Sequence, residues 1–192
     1  YIDLALHSAN HVLCLSKRIQ SKLDIMNFKE SEFWIGNCID STISLLQPYL
    51  NSTINIVKDY PVDIKISGDS LHLQETFLNI IKNAIEAIEG PGIITIKIYK
   101  NRKSIYIAFM DNGKGIENDN LSLVLNPFYS TKGKRSSFGL GLTYCYKVIE
   151  KHGGDISIKS QINKGTTITL SLPTKRMIDT KSANFLGETT YG

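Results

Sequence analysis

The hydrophobic period of the chain changes several times, and each change marks an element. Residues Tyr1 to Met26 contain neither Gly nor Pro, and Ala5, Ser8, Val12, Leu15, Ile19, Lys22 and Met26 recur at alternating spacings of three and four, the narrow seam of a coiled-coil helix. One helix alone cannot bury such a seam, so packing on another helix or on a second copy is expected. A second helix is expected over Ser31–Leu46, capped by Ser31 and stopped at Pro48. Alternation in Ile54–Val57 and Val62–Ile66 predicts two short strands. Asp69 then caps a long helix to about Glu89, with Leu71, Leu78, Ile81, Ile85 and Ile88 as its apolar stripe and Gly90-Pro91-Gly92 as its end. Ile94/Ile96/Ile98 and Ile105/Ile107/Phe109 alternate on either side of Asn101-Arg102-Lys103, a hairpin pattern. After a stretch with little period over 111–138, a helix is expected from Gly139 to His152, ended by Gly153-Gly154. A hairpin of Ile156–Lys159 and Thr166–Leu172 follows, then Pro173 and a polar tail. This order predicts one mixed, mostly antiparallel sheet with helices on one face. A long irregular segment inside a compact domain is usually functional.

Composition narrows the class without naming it. In 192 residues, 42% hydrophobic and 21% charged residues describe a globular chain, not a disordered or fibrous one. The net charge of +4 is too small and too dispersed to argue for nucleic acid. Cys14, Cys38 and Cys145 share no metal-ligand spacing and read as reduced thiols, which points to the cytoplasm and to no zinc site. No apolar run reaches the roughly 20 residues of a membrane helix. Because the first residue is Tyr1, the chain is expected to be part of something longer, and any membrane anchor would lie in segments outside it.

Four segments carry chemistry. In Asn79-Ile80-Ile81-Lys82-Asn83-Ala84-Ile85-Glu86-Ala87, Asn79 and Asn83 are neighbours on one helix face, and amide oxygens there suit a hard cation such as Mg²⁺. Asp111-Asn112-Gly113-Lys114-Gly115 follows a strand directly, so its carboxylate can accept from an amino group such as that of adenine, while glycines let backbone approach a flat ring. Asn126-Pro127-Phe128-Tyr129-Ser130-Thr131-Lys132 offers a hydroxyl and a cation. Phe138-Gly139-Leu140-Gly141-Leu142 opens a helix, where free N–H groups favour phosphate. Taken singly, each has a plainer reading as solvated Asn residues, a turn or a loop.

In this order and spacing the four segments resemble the N, G1, F and G2 boxes of the ATP-binding catalytic domain of sensor histidine kinases. That family lies within the wider group of ATPases that includes type II topoisomerases, the heat-shock chaperone of ninety kilodaltons and the MutL repair proteins. Gly165-Thr166-Thr167-Ile168-Thr169-Leu170-Ser171-Leu172-Pro173 is similar to the family's closing strand, and the resemblance covers about residues 24–173. It implies an α+β fold, an α/β sandwich of the Bergerat ATP-binding type preceded by a coiled-coil-like helix. The implied cofactors are ATP and Mg²⁺. In family terms Asn83 is the metal ligand and Asn79 lies beside the phosphates. Asp111 reads the adenine amino group, and Gly113, Gly115 and Thr166 line the base. Ala87 belongs to the binding set, and Thr131, Lys132, Gly139, Leu140 and Gly141 form the lid over the phosphates. Asn79 and Lys132 are the catalytic candidates, with Lys82 as a second candidate cation. Glu86 near the second Asn looks like the nitrogen-sensor branch. The repair and topoisomerase branches carry a general-base Glu where this chain has Asn79, so rapid hydrolysis is disfavoured.

The resemblance also implies an organisation: 1–26 as the second helix of an incomplete dimerisation hairpin, 27–173 as the catalytic domain and 174–192 as tail or linker. His7 and His11 lack the Pro of the family's phosphoacceptor motif, and His7 lies too close to Asn83 to sit on the first helix of a hairpin. The acceptor is therefore expected upstream of Tyr1. His72 and His152 fit the start and the end of helices. The expected partners are a response regulator and, through the N-terminal helix, a second copy of the chain. The competing readings are a catalytically degenerate nucleotide-binding or dimerisation module, another ATPase of the wider group, and a serine kinase of the same fold.

Overall fold

The computed structural model describes residues 27–50, 52–60, 63–129 and 139–178. The seam of residues 1–26, with Cys14, lies outside the described residues, as do Thr131, Lys132 and most of the C-terminal tail. Among the described residues seven strands and four α-helices follow in order. They are β1 (Ser31–Trp34), α1 (Ile35–Leu46), β2 (Ile54–Asp59), β3 (Lys65–Gly68), α2 (Ser70–Ala87), β4 (Gly92–Lys100), β5 (Ser104–Asp111), α3 (Asn118–Leu121), α4 (Gly141–Lys151), β6 (Asp155–Gln161) and β7 (Gly165–Pro173).

Five strands form the main sheet in the order β2-β4-β5-β7-β6. The β2–β4 pair is parallel and the others are antiparallel. Alternation places Ile94, Ile96 and Ile98 of β4 and Ile105, Ile107 and Phe109 of β5 in the core, as their period requires. Leu73, Phe77, Ile80, Ile81 and Ala84 of α2 and Tyr144, Cys145, Val148 and Ile149 of α4 close the same core. This is the mixed, mostly antiparallel sheet with packed helices that the sequence predicts.

Three local expectations are corrected. The helix expected over Ser31–Leu46 begins at Ile35, because residues 31–34 form a strand. Ser31 is not its cap: the Asp63 carboxylate accepts from the Gly36 N–H at 2.7 Å, and Ile35 N–H donates to the Ile64 carbonyl at 3.0 Å. Second, the strand expected over Val62–Ile66 begins at Lys65 and leaves the main sheet, pairing instead with β1 as a separate antiparallel ribbon. Third, the stripe expected on α2 is wider than predicted and loses one member: Ile81 is buried and Leu78, Ile85 and Ile88 pack against the core, but Leu71 is 73% exposed, and Leu73, Phe77 and Ile80 join the buried face. Asp69 does cap α2, its Oδ1 accepting from His72 N–H at 3.0 Å. Among its described residues the irregular segment contains one short helix, α3.

Cys38 and Cys145 are both buried, and burial pushes the Cys38 thiol up to about 12. Among the described residues no helix is long and apolar enough to cross a membrane.

Candidate nucleotide site

A cavity of about 160 Å³ opens where the C-terminal half of α2 crosses the ends of β5 and β7. Ile80, Asn83, Ala84 and Ala87 face it from α2, a helical i, i+3, i+4, i+7 set. Phe109, Asp111, Thr166 and Ile168 supply the sheet wall, and Val124, Tyr129, Gly139 and Leu142 the opposite side. The interior is thus mostly apolar with a few convergent polar groups, the composition of a small-molecule site.

Asp111 is the most constrained of these groups. It ends β5 directly opposite Thr166 of β7, and its Oδ1 accepts from the N–H of Gly113 at 2.8 Å and of Thr166 at 3.2 Å. Both bonds fall on one oxygen and fix the carboxylate plane, and the side chain lines the cavity. Burial raises its pKa above the ordinary carboxylate value, against the pull of the two N–H donors. A carboxylate held in a partly desolvated cleft at a stability cost is the pattern of a binding group.

The loop after Asp111 is wedged in place. Lys114 N–H donates to the Ala87 carbonyl at 2.9 Å, and Asn163 N–H donates to the Lys114 carbonyl at 2.8 Å, so the loop bridges the end of α2 and the β6–β7 turn. Gly115 has φ +73°, and a Cβ there would stand 2.2 Å from the Gln161 carbonyl oxygen, which excludes any side chain. Ser160 joins the wall behind it: its hydroxyl accepts from Ile116 N–H at 2.8 Å, donates to the Gly165 carbonyl at 2.9 Å and lies 2.9 Å from the Thr166 hydroxyl.

The predicted residues are distributed as follows. Asn83, Ala87, Asp111, Gly115, Gly139 and Thr166 line the cavity. Gly113 does not; it is buried beneath Ala87 and holds Asp111 through its N–H. Asn79, Leu140 and Gly141 lie just beyond the cavity wall, where a Cβ on Gly141 would be 3.5 Å from Asn79 Oδ1. Leu140 is the N-cap residue of α4 and makes no side-chain cap bond, which leaves the helix's first N–H groups for another acceptor. Lys82 does not line the cavity: its ammonium sits 5.7 Å from the centre of the Tyr49 ring. Thr131 and Lys132 lie outside the described residues.

Sequence reasoning missed Ser160 and Lys114, and missed the cavity-facing roles of Ile80 and Tyr129. Only Ile80 carried a signal, through its helical spacing with Asn83, Ala84 and Ala87.

Residues 68–176 match the family model described as histidine kinase-, DNA gyrase B-, and HSP90-like ATPase. The chain belongs to this family. Within it the chain is similar to sporulation kinase B of Bacillus subtilis (strain 168), 35% identical over 148 residues, covering 76% of this chain and 34% of that protein. The chain therefore spans about a third of the length of this curated relative. Among solved structures, full-length ShkA in complex with AMPPNP matches with a TM-score of 0.74 at 19% identity, covering 87% of this chain and 36% of that one. Histidine kinase ThkA in complex with the response regulator protein TrrA matches with a TM-score of 0.68 at 21% identity, covering 86% and 48%. The last two likenesses establish the fold.

Proposed function

We propose that the chain is the ATP-binding kinase core of a two-component sensor histidine kinase. In this reading it transfers the γ-phosphoryl group of Mg-ATP to a histidine upstream of Tyr1, for relay to a response-regulator aspartate. The observation that carries the reading is the Asp111 carboxylate, one oxygen tied to Gly113 and Thr166 N–H groups inside an apolar cavity that also contains Asn83. Such an acceptor pairs with the exocyclic amino group of adenine. Family membership supports the choice of nucleotide.

Asn83 fits a hard cation, because its side chain lines the cavity and a carboxamide oxygen is the ligand type Mg²⁺ takes. When bound, the ion supplies charge neutralisation across the phosphates. Around it, the uncapped first turn of α4 offers N–H donors to phosphate oxygens, with Leu140 and Gly141 at its start and Asn79 opposite. Thr131, Lys132 and Gly139 complete the cover over the phosphates in this reading, with Lys132 meeting the charge that develops on transfer. Asn79 cannot take a proton from water, which favours phosphoryl transfer over hydrolysis. Residues 1–26 serve as the return helix of a dimerisation hairpin and 174–192 as a linker. The partners are a response regulator and a second copy of the chain, with no nucleic acid. The domain works in the cytoplasm, and any membrane anchor lies in other segments of the parent protein.

Calorimetric titration with Mg-ATP and Mg-GTP tests the reading. ATP is expected to bind more tightly by at least about tenfold, since the guanine carbonyl would face the Asp111 carboxylate. Equal affinity for the two would sink the assignment.

A further inference from the structure

A second set of contacts spans the two helices that flank the phosphate end of the site. Asn79 Nδ2 donates to the backbone carbonyl of Glu75 at 2.9 Å, which turns its Oδ1 toward Gly141 at the start of α4. The carboxylate of the same Glu75 accepts from the Tyr144 hydroxyl at 3.1 Å, three residues along α4 from Gly141. The Tyr144 oxygen also lies 2.8 Å from His72 Nδ1. With the phenolic hydrogen given to Glu75, His72 Nδ1–H is the donor to that oxygen. Tyr144 is only 2% exposed, so its hydroxyl depends on these partners. Neither Glu75 nor Tyr144 lines the cavity.

We propose that Glu75 and Tyr144 are positioning residues for the phosphate end of the nucleotide site. The Glu75 carbonyl orients Asn79, and its carboxylate, through Tyr144, sets the register of the α4 N-terminus against that Asn. Apolar contact between α2 and α4 would tolerate a small slide, whereas a satisfied buried hydrogen bond selects one register. The inference rests on the ATP-binding reading and adds to it two residues that need touch no nucleotide. The adenine end is held separately by Asp111 and Thr166, so loss of the register should be felt by phosphates and not by the nucleoside.

The test uses the whole chain. Affinities for Mg-ATP and Mg-ADP are measured by calorimetry and for adenosine by ligand-observed NMR, in the native chain and in Tyr144→Phe, Glu75→Ala, Glu75→Gln and the Glu75→Ala/Tyr144→Phe double variant. Tyr144→Phe keeps the buried ring and should weaken ATP and ADP by about tenfold while leaving adenosine within about twofold. Glu75→Ala should match it, and the double variant should be no weaker than either single change, because both remove one contact. Glu75→Gln retains an acceptor oxygen and should restore ATP binding to within about threefold of the native chain. Unchanged ATP affinity in Tyr144→Phe, an equal loss of adenosine, or additive losses in the double variant would each overturn the proposal while leaving the ATP reading intact. A native chain that binds none of the three ligands overturns the ATP reading and this proposal together.

Discussion

The backbone N–H of Asp69 donates to Nε2 of His152 at 2.9 Å, joining residues 83 apart in the chain. His152 is fully buried, and its Nδ1 lies 2.7 Å from the Val148 carbonyl, so Nδ1 carries the proton and Nε2 is left as acceptor. On the other side of Asp69, the Lys29 N–H donates to its Oδ2 at 2.7 Å, and Phe28 packs edge-on to the His152 ring at 4.8 Å. The start of α2, the end of α4 and the segment leading into the domain therefore meet at one neutral imidazole.

That neutrality makes stability depend on pH. Burial, with the Arg176 charge, holds the His152 pKa below its ordinary 6.5, against the Val148 carbonyl and Asp69. The folded chain thus binds fewer protons at this site than the unfolded chain. Its contribution is complete above about pH 6.5 and is lost as pH falls from there through the lower folded value. Urea denaturation should show a less stable fold at pH 5 than at pH 7. His152→Gln should be less stable at pH 7 by about 1–3 kcal/mol and show a shallower pH slope in that window.

Asp111→Asn separates binding from stability. The variant keeps an Oδ1 that can accept from Gly113 and Thr166 but loses the charge that burial disfavours. ATP affinity should fall by more than about tenfold, the cost of one charge-assisted hydrogen bond. Thermal melting without nucleotide should be unchanged or higher. A variant that binds ATP normally would remove Asp111 from the site.

Gly165 and Gly90 test contact against conformation. Both have positive φ, +105° and +97°. A Cβ at Gly165 would sit 1.8 Å from the Asp111 carbonyl oxygen, whereas at Gly90 it would meet nothing within 4 Å. Gly90→Ala should cost about 1 kcal/mol, the left-handed penalty alone. Gly165→Ala should cost on the order of 2–4 kcal/mol and weaken nucleotide binding, because it displaces Asp111. Equal losses by denaturant titration would contradict this account.

Phosphorylation tests where the acceptor lies. Incubated with γ-labelled ATP, the chain from Tyr1 to Gly192 should gain no acid-labile, base-stable phosphohistidine, and a chain extended upstream should gain it. Robust label on the shorter chain that disappears in His7→Gln or His11→Gln would make that histidine the acceptor.

The sequence by itself determined the elements whose stabilising contacts are local or periodic. The alternating isoleucines of β4 and β5, the Asp69 cap of α2 and the glycine-marked ends of the long helices were legible because each is written within a few residues. Asn83, Ala87 and Asp111, which line the cavity, were legible for a different reason: their order and spacing repeat a family pattern. Tertiary structure alone decided the rest. The start of α1 depends on Asp63, 27 residues downstream of the Gly36 N–H it accepts, and the local Ser31 signal lost to it. Strand β3 alternates well enough for any sheet, yet it pairs with β1, Ser31 opposite Gly68, and not with the β2 or β6 edge of the main sheet. The buried face of α2 is wider than its expected stripe because helices α1 and α4 both pack on it, which one helix's own moment does not encode. Lys82 was drawn to Tyr49 and Ser160 to Thr166 for the same reason. A side chain's partner is set by what the fold brings within a few ångströms, and distance along the chain carries no record of it.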